Sequence, residues 1–106
     1  MPKYLVQGSY SPVGTRGLIK EGASGRKDAV EKLVGGLKGK LECIYYALGE
    51  DDVFIIIDLP DATTAAAIGL AVHASGMVNT KTTVLLTTSE IDAACKMSVN
   101  YRPPKA

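Results

Sequence analysis

Gly22-Ala-Ser-Gly-Arg-Lys27 has the residue types best suited to holding a ligand. Flexible backbone at a helix start, with Ser24, Arg26 and Lys27, can bind a phosphate or carboxylate through N–H groups and positive charge. Arg16 and Lys20 add charge nearby. The run matches no P-loop or dinucleotide fingerprint, so its simpler reading is a capped helix with solvated basic residues. His73, the only histidine, has the chemistry of a general base or a haem ligand. Without a second His or a suitably spaced Cys, it reads more simply as a helix-end residue facing a carbonyl or solvent. If it acts, Tyr46, Asp58 and Lys81 are its candidate partners, each able to line a cavity on a sheet face. Asp58 falls late in an apolar strand and needs a partner, with Lys81 on a neighbouring strand one candidate and a pocket lining another.

Other candidates have simpler explanations. Glu50, Asp51 and Asp52 have the chemistry of a metal site or carboxylate pair, but adjacent acidic residues in a hairpin loop read first as a solvated turn. Tyr4, Tyr10, Tyr45 and Tyr46 read as sheet packing with hydroxyls at the rim. Cys43 and Cys95 have no cysteine or histidine at metal-ligand spacing and read as small buried hydrophobes. Neither a metal nor a cofactor is expected.

The elements that must position these residues centre on Leu48 to Pro60. Val53-Phe54-Ile55-Ile56-Ile57 suits a strand buried on both faces. With the alternating run Leu41–Leu48 it forms a hairpin closed by a loop of about three or four residues containing Gly49. A first strand runs from Lys3 to about Tyr10, with Tyr4, Val6, Gly8 and Tyr10 on one face and Leu5, Gln7 and Ser9 on the other. Val13–Gly25 holds four glycines, which predicts a loop with at most a short helical turn. Ser24 then caps a helix through Ala29, Val30, Leu33, Val34 and Leu37 to Gly39. Asp61 or Thr63 caps a closely packed alanine-rich helix stopped by Gly76, in which Gly69 suggests backbone contact with something large. A strand over about Asn79–Thr87 follows, then a short helix through Met97 opened by a Ser89/Asp92 capping box. One domain over residues 1–100 and an extended tail over 101–106 are expected.

The order β-α-β-β-α-β, with a C-terminal helix, predicts a ferredoxin-like α+β fold: a four-stranded antiparallel sheet with both long helices on one face. Phe54 and Ile56 point away from Val53, Ile55 and Ile57, so apolar side chains emerge on both faces and the second face needs a cover. A second copy of the same sheet is the expected cover, giving a homodimer or higher homo-oligomer. Tyr101, Arg102 and the two prolines are short enough to lie across a neighbour. The chain has 106 residues, 46% of them hydrophobic, enough for a core without staples. Its net charge of +1 supplies no field to steer it onto nucleic acid or an anionic membrane, and neither is an expected partner. No apolar run nears the ~20 residues of a membrane span, and Met1-Pro-Lys-Tyr leads into a strand with no signal region, so the cytoplasm is expected.

Met1-Pro-Lys-Tyr-Leu-Val-Gln-Gly-Ser-Tyr10, Gly17-Leu-Ile-Lys-Glu-Gly22, Lys40-Leu-Glu42, the acidic turn after Gly49, Leu70-Ala-Val-His-Ala-Ser-Gly76 and Lys81-Thr-Thr-Val-Leu-Leu-Thr87 together resemble the GYD-domain family over nearly the whole chain. The name-giving tripeptide departs: Gly49-Glu50-Asp51-Asp52 has an aspartate where the family's tyrosine is expected. The resemblance implies a small bacterial or archaeal protein of ferredoxin-like fold, related to the dimeric α+β barrel proteins, and no particular activity.

Two functional readings follow. In the first, a homo-oligomer binds a small metabolite, anionic or neutral, in a pocket between sheet and interface. In the second, a cofactor-independent enzyme of oxygenase or isomerase type acts on a small aromatic or carbonyl compound, with a tyrosine, Asp58 or His73 moving the proton. The absence of any nucleophile–base pair or nucleotide fingerprint favours the first.

Overall fold

The computed structural model describes residues 1–105. Its elements are β1 (Lys3–Tyr10), α1 (Pro12–Glu21), α2 (Ala23–Gly36), β2 (Lys40–Tyr46), β3 (Val53–Asp58), α3 (Ala62–Ala74), β4 (Val78–Leu85) and α4 (Thr88–Cys95). The strands form one antiparallel sheet in the order β2-β3-β1-β4. This is the expected ferredoxin-like α+β architecture. Tyr101–Lys105 has no regular structure, and Ala106 of the expected tail lies outside the described residues.

Helices α2 and α3 cover the face that carries Tyr4, Val6, Val53, Ile55 and Ile57. Tyr4, Val34, Ile57 and Leu59 are buried together, with Val6, Val30, Leu41, Ile55, Ala65 and Ile68 packed around them. Leu59 is fully buried although it lies outside the strands; its N–H donates to the Pro2 carbonyl at 3.0 Å, which brings the start of the chain alongside the end of β3. The register shifts between Leu41 and Cys43, a β-bulge that reverses side-chain parity along β2. Leu41, Ile44 and Tyr46 therefore stand with Ile57, Ile55 and Val53 on the helix side, while Cys43 and Tyr45 stand with Ile56 and Phe54 on the other.

The expected loop over Val13–Gly25 is instead a ten-residue helix, α1, followed directly by α2. Ser11 starts it, with its hydroxyl accepting from the Gly14 N–H at 3.1 Å, and Pro12 occupies the first turn where its missing N–H costs nothing. Tertiary contact then outweighs the glycine propensities. The Ser11 N–H donates to the Met77 carbonyl at 2.8 Å, and a Cβ on Gly14 would overlap that same carbonyl. Gly22, at φ 85°, separates the two helices and takes the N-cap position of α2, so Ser24 is not the cap.

Three further expectations change. The β2–β3 connection spans Ala47–Asp52, longer than the three or four residues expected. It is closed by Ala47 N–H to the Asp52 carbonyl at 2.8 Å and by Asp52 N–H to the Gly8 carbonyl at 2.7 Å. The final capping box is Thr87 with Glu90, not Ser89 with Asp92, because β4 ends at Leu85 and Thr87 is the extended residue before the helix. The Thr87 hydroxyl accepts from Glu90 N–H at 3.1 Å and the Glu90 carboxylate from Thr87 N–H at 3.0 Å. Asp61 caps α3 as expected, but α3 buries none of its residues fully, and nothing lies within 4 Å of a Cβ placed on Gly69.

Two substitutions test this description. Leu59→Ala leaves a cavity in the core and should lower the unfolding free energy by about 2–5 kcal/mol in urea titration. Gly69→Ala meets open space in mid-helix and should raise it by about 0.4–1 kcal/mol in the same assay.

Candidate functional site

Strands β1 and β2 finish at the same end of the sheet, so Tyr10 and Tyr46 come together on the helix side. Tyr46 pairs across β2–β3 with Val53, which pairs across β3–β1 with Gly8, two residues before Tyr10. Gly8 keeps the row between them low, since a Cβ there would meet Val53 at 2.9 Å and Val78 at 3.1 Å. The first turns of α2 bring Arg26 over this end, and the last turns of α3 bring Ala71, Val72 and Ser75 along the other side.

The result is a groove of about 750 Å³, lined by Leu18, Lys20 and Glu21 of α1, by Arg26 and Tyr10, and by Val72 and Val78 among others. An apolar chamber of about 100 Å³ shares Tyr10, Arg26, Val72 and Val78 with it and extends between α2 and α3 to Leu33, Ile44, Ile55 and Ile68. Its polar groups are few. Arg26 pairs with Glu21 at 3.4 Å, and both side chains are well exposed, so the pair is weak and the guanidinium can be recruited by another anion. Tyr46 is 37% exposed. Its partial burial raises its pKa above the ordinary phenol value, Tyr10 adds to the rise, and Arg26 opposes it. An apolar chamber with one cation and two phenols at its mouth suits a ligand with an apolar body and a single anionic head.

Of the residues expected to bind, Arg26 and Tyr46 meet here and the others do not. Ser24 and Lys27 are exposed on α2 and line neither cavity. His73 lies at the outer edge of β4, where its Nε2 is 3.0 Å from the Thr80 N–H nitrogen, 3.0 Å from the Thr80 hydroxyl and 3.1 Å from the Thr80 carbonyl. The ring occupies backbone groups that an edge strand otherwise leaves open. Asp58 and Lys81 project from the opposite sheet face and do not pair with each other. Asp58 stands opposite Lys3 and bonds its Nζ at 2.9 Å, while Glu42 reaches the same amine at 3.1 Å. These two carboxylates hold the Lys3 pKa above its ordinary value. Lys81, level with Gln7 at the other end of β1, pairs with Asp51 at 3.1 Å.

The acidic turn is a structural device rather than a solvated one. The Asp51 carboxylate also accepts from Gln7 Nε2 at 3.2 Å, and the Asp52 carboxylate accepts from Tyr10 N–H at 2.9 Å. Both fold back onto β1. The cysteines are not buried as expected: Cys43 is half-buried and Cys95 exposed. Among the described residues no group of three or more His, Cys, Asp or Glu could hold a metal ion, and no helix is long and apolar enough to cross a membrane. Tyr10, Leu18 and Glu21 were not among the expected site residues, and Lys20 was expected only to add charge near the Gly22–Lys27 run; Leu18, Lys20 and Glu21 all line the groove. These three lie on α1, whose Ser11-Pro12 start is its one signal in the sequence.

A family model described as GYD domain matches residues 4–95. No curated protein and no solved structure gives a significant match.

The raised Tyr46 phenol implies a pH dependence. Its folded pKa lies above the unfolded one, so the unfolded chain ionises first and stability falls as pH rises through about 10. Tyr46→Phe should make that alkaline fall shallower in urea unfolding at pH 9 to 11.

Proposed function

We propose, from the premise that the chain belongs to the GYD domain family, that it is a homo-oligomeric protein binding a small amphipathic anion in the groove over the Tyr10 and Tyr46 end of the sheet. The observation that carries this reading is the convergence of Arg26, Tyr10 and Tyr46 on a cavity whose remaining walls are apolar apart from Thr80. The ligand's apolar body fills the chamber against Ile44, Ile55, Ile68 and Val72. Its carboxylate, or an equivalent anion, replaces Glu21 on the Arg26 guanidinium, with Lys20 adding positive charge to the groove. The phenols orient the head by hydrogen bonding. The oxygenase or isomerase reading has less support, because Asp58 and His73 lie away from Tyr46 and each is occupied by its own partner.

Oligomerisation rests on the second sheet face. Leu5, Cys43, Phe54, Ile56 and Leu85 emerge there, and Tyr45 is 69% exposed beside them. Helices α1, α2 and α3 all serve the other face. The charges on this open face are largely compensated within the chain, Lys3 with Asp58 and Glu42, and Lys81 with Asp51, which limits like-charge repulsion between two stacked copies. The unpaired Cys43 and Cys95 fit a reducing compartment such as the cytoplasm.

Binding is tested with hexanoate and phenylacetate as probes, followed by NMR on isotope-labelled protein. Saturable shifts should appear at Ile44, Val72 and Val78. Arg26→Gln should weaken binding by about ten- to a hundredfold, the worth of a charge-assisted hydrogen bond, and Lys81→Gln should leave it unchanged. Shifts confined to the open face, or binding indifferent to Arg26, would sink the proposal.

A further inference from the structure

The chain exposes far more surface than a compact monomer of its size. Its accessible area is 7631 Å², against roughly 5,700 Å² for a folded monomer of this mass. The excess, about 2,000 Å², exceeds the ~800 Å² that each partner contributes to a standard interface and falls in the range of obligate dimers. The radius of gyration is 16.8 Å, against about 13 Å for a compact domain of this length.

Much of this excess lies in one place. Every residue from Leu86 to Lys105 is exposed, including Ile91 at 45%, Met97 at 71%, Val99 at 76% and Tyr101 at 69%. Helix α4 has eight residues and packs extensively on no other element of the chain. A helix that short is not stable in water by itself, and its Thr87/Glu90 capping box supplies only about 1 kcal/mol towards ordering it. It is nonetheless part of the family unit, since the GYD match runs to Cys95, its last residue. An element shared by the family but unsupported within one chain finds its support in a partner that every member has, another copy of itself.

We infer that α4 and the segment Met97–Tyr101 form an arm that clasps a second copy of this chain. The inference builds on the oligomer proposed above and names the segment that secures it. The arm leaves β4 at Leu85, level with Lys3, so it begins at an end of the open sheet face on which the second copy stacks. Eight helical residues span about 12 Å and the six that follow, through Tyr101, up to about 20 Å, enough to reach across a stacked four-stranded sheet. Ile91, Met97, Val99 and Tyr101 supply the apolar contacts. Under two-fold symmetry each protomer both gives and receives an arm.

The test compares wild-type protein with the Ile91→Glu/Met97→Glu double variant by sedimentation velocity across a dilution series, with circular dichroism confirming the fold. Both residues are exposed within the chain, so the substitutions leave the core intact. The dimer dissociation constant should rise at least about a hundredfold. Iodoacetamide labelling of Cys95, read by peptide mass, gives a second measurement on unaltered protein: labelling should be at least about tenfold slower in the associated state than after dilution to monomer. A wild-type dimer with unchanged affinity in the variant and no protection of Cys95 would overturn the arm and leave the stacked sheets standing. A wild type that stays monomeric would overturn both.

Discussion

Helices α2 and α3 lie on one face of the sheet without closing against each other, and the remaining features follow from that separation. Val30, Leu33 and Val34 of α2 and Ile68 and Val72 of α3 line two sides of a chamber whose floor is Val6, Ile55 and Ile57. Where the chamber narrows, Val34 meets Tyr4, Ile57 and Leu59 and the core is fully buried. Towards the Tyr10 and Tyr46 end the helices leave the sheet less covered, and α1 closes part of the gap from above. The same allocation of helices to one face leaves the other without cover. Groove and open face are thus two consequences of one constraint, that a four-stranded sheet with apolar residues on both sides has helices enough for one.

The polar network is arranged to hold loops rather than to supply bulk stability. Lys3 with Asp58 and Glu42, and Lys81 with Asp51, are partly or largely solvated pairs, which contribute little individually. Their effect is geometric. Asp51 and Asp52 draw the β2–β3 connection onto β1, and Asp52 bonds the Tyr10 N–H where the strand would otherwise fray. The acidic turn therefore helps to set the backbone position of Tyr10, whose ring forms part of the proposed site. On the outer edge of the sheet, His73 accepts from the Thr80 N–H through Nε2.

Much of the architecture was legible because it rests on local periodicity. The two-sided apolar content of Val53–Ile57 marks a central strand wherever it is placed, and the period of Ala29, Val30, Leu33, Val34 and Leu37 marks a helix. Asp61 and Thr63 before an alanine run both mark an N-cap there, and the structure assigns it to Asp61. Helix α1 was not legible for a related reason: its glycines disfavour a helix locally, and the compensating contact, Gly14 against the Met77 carbonyl, joins residues far apart in the chain. The exposure of α4 was hidden too, since an amphipathic run reads the same whether its partner is in this chain or another.

The residue types at the candidate site belong to the sequence alone: one arginine early in a helix, tyrosines at two strand ends, and no histidine or cysteine cluster to suggest metal chemistry. Which of them meet was decided by the tertiary structure. The bulge between Leu41 and Cys43 reverses the parity of β2, carrying Tyr46 to the helix side and Tyr45 to the open one. The register of β1 places Lys3, not Lys81, opposite Asp58. Parity and register are relations between strands, fixed by pairing and by the burial of one face, and no run of residues read singly contains them.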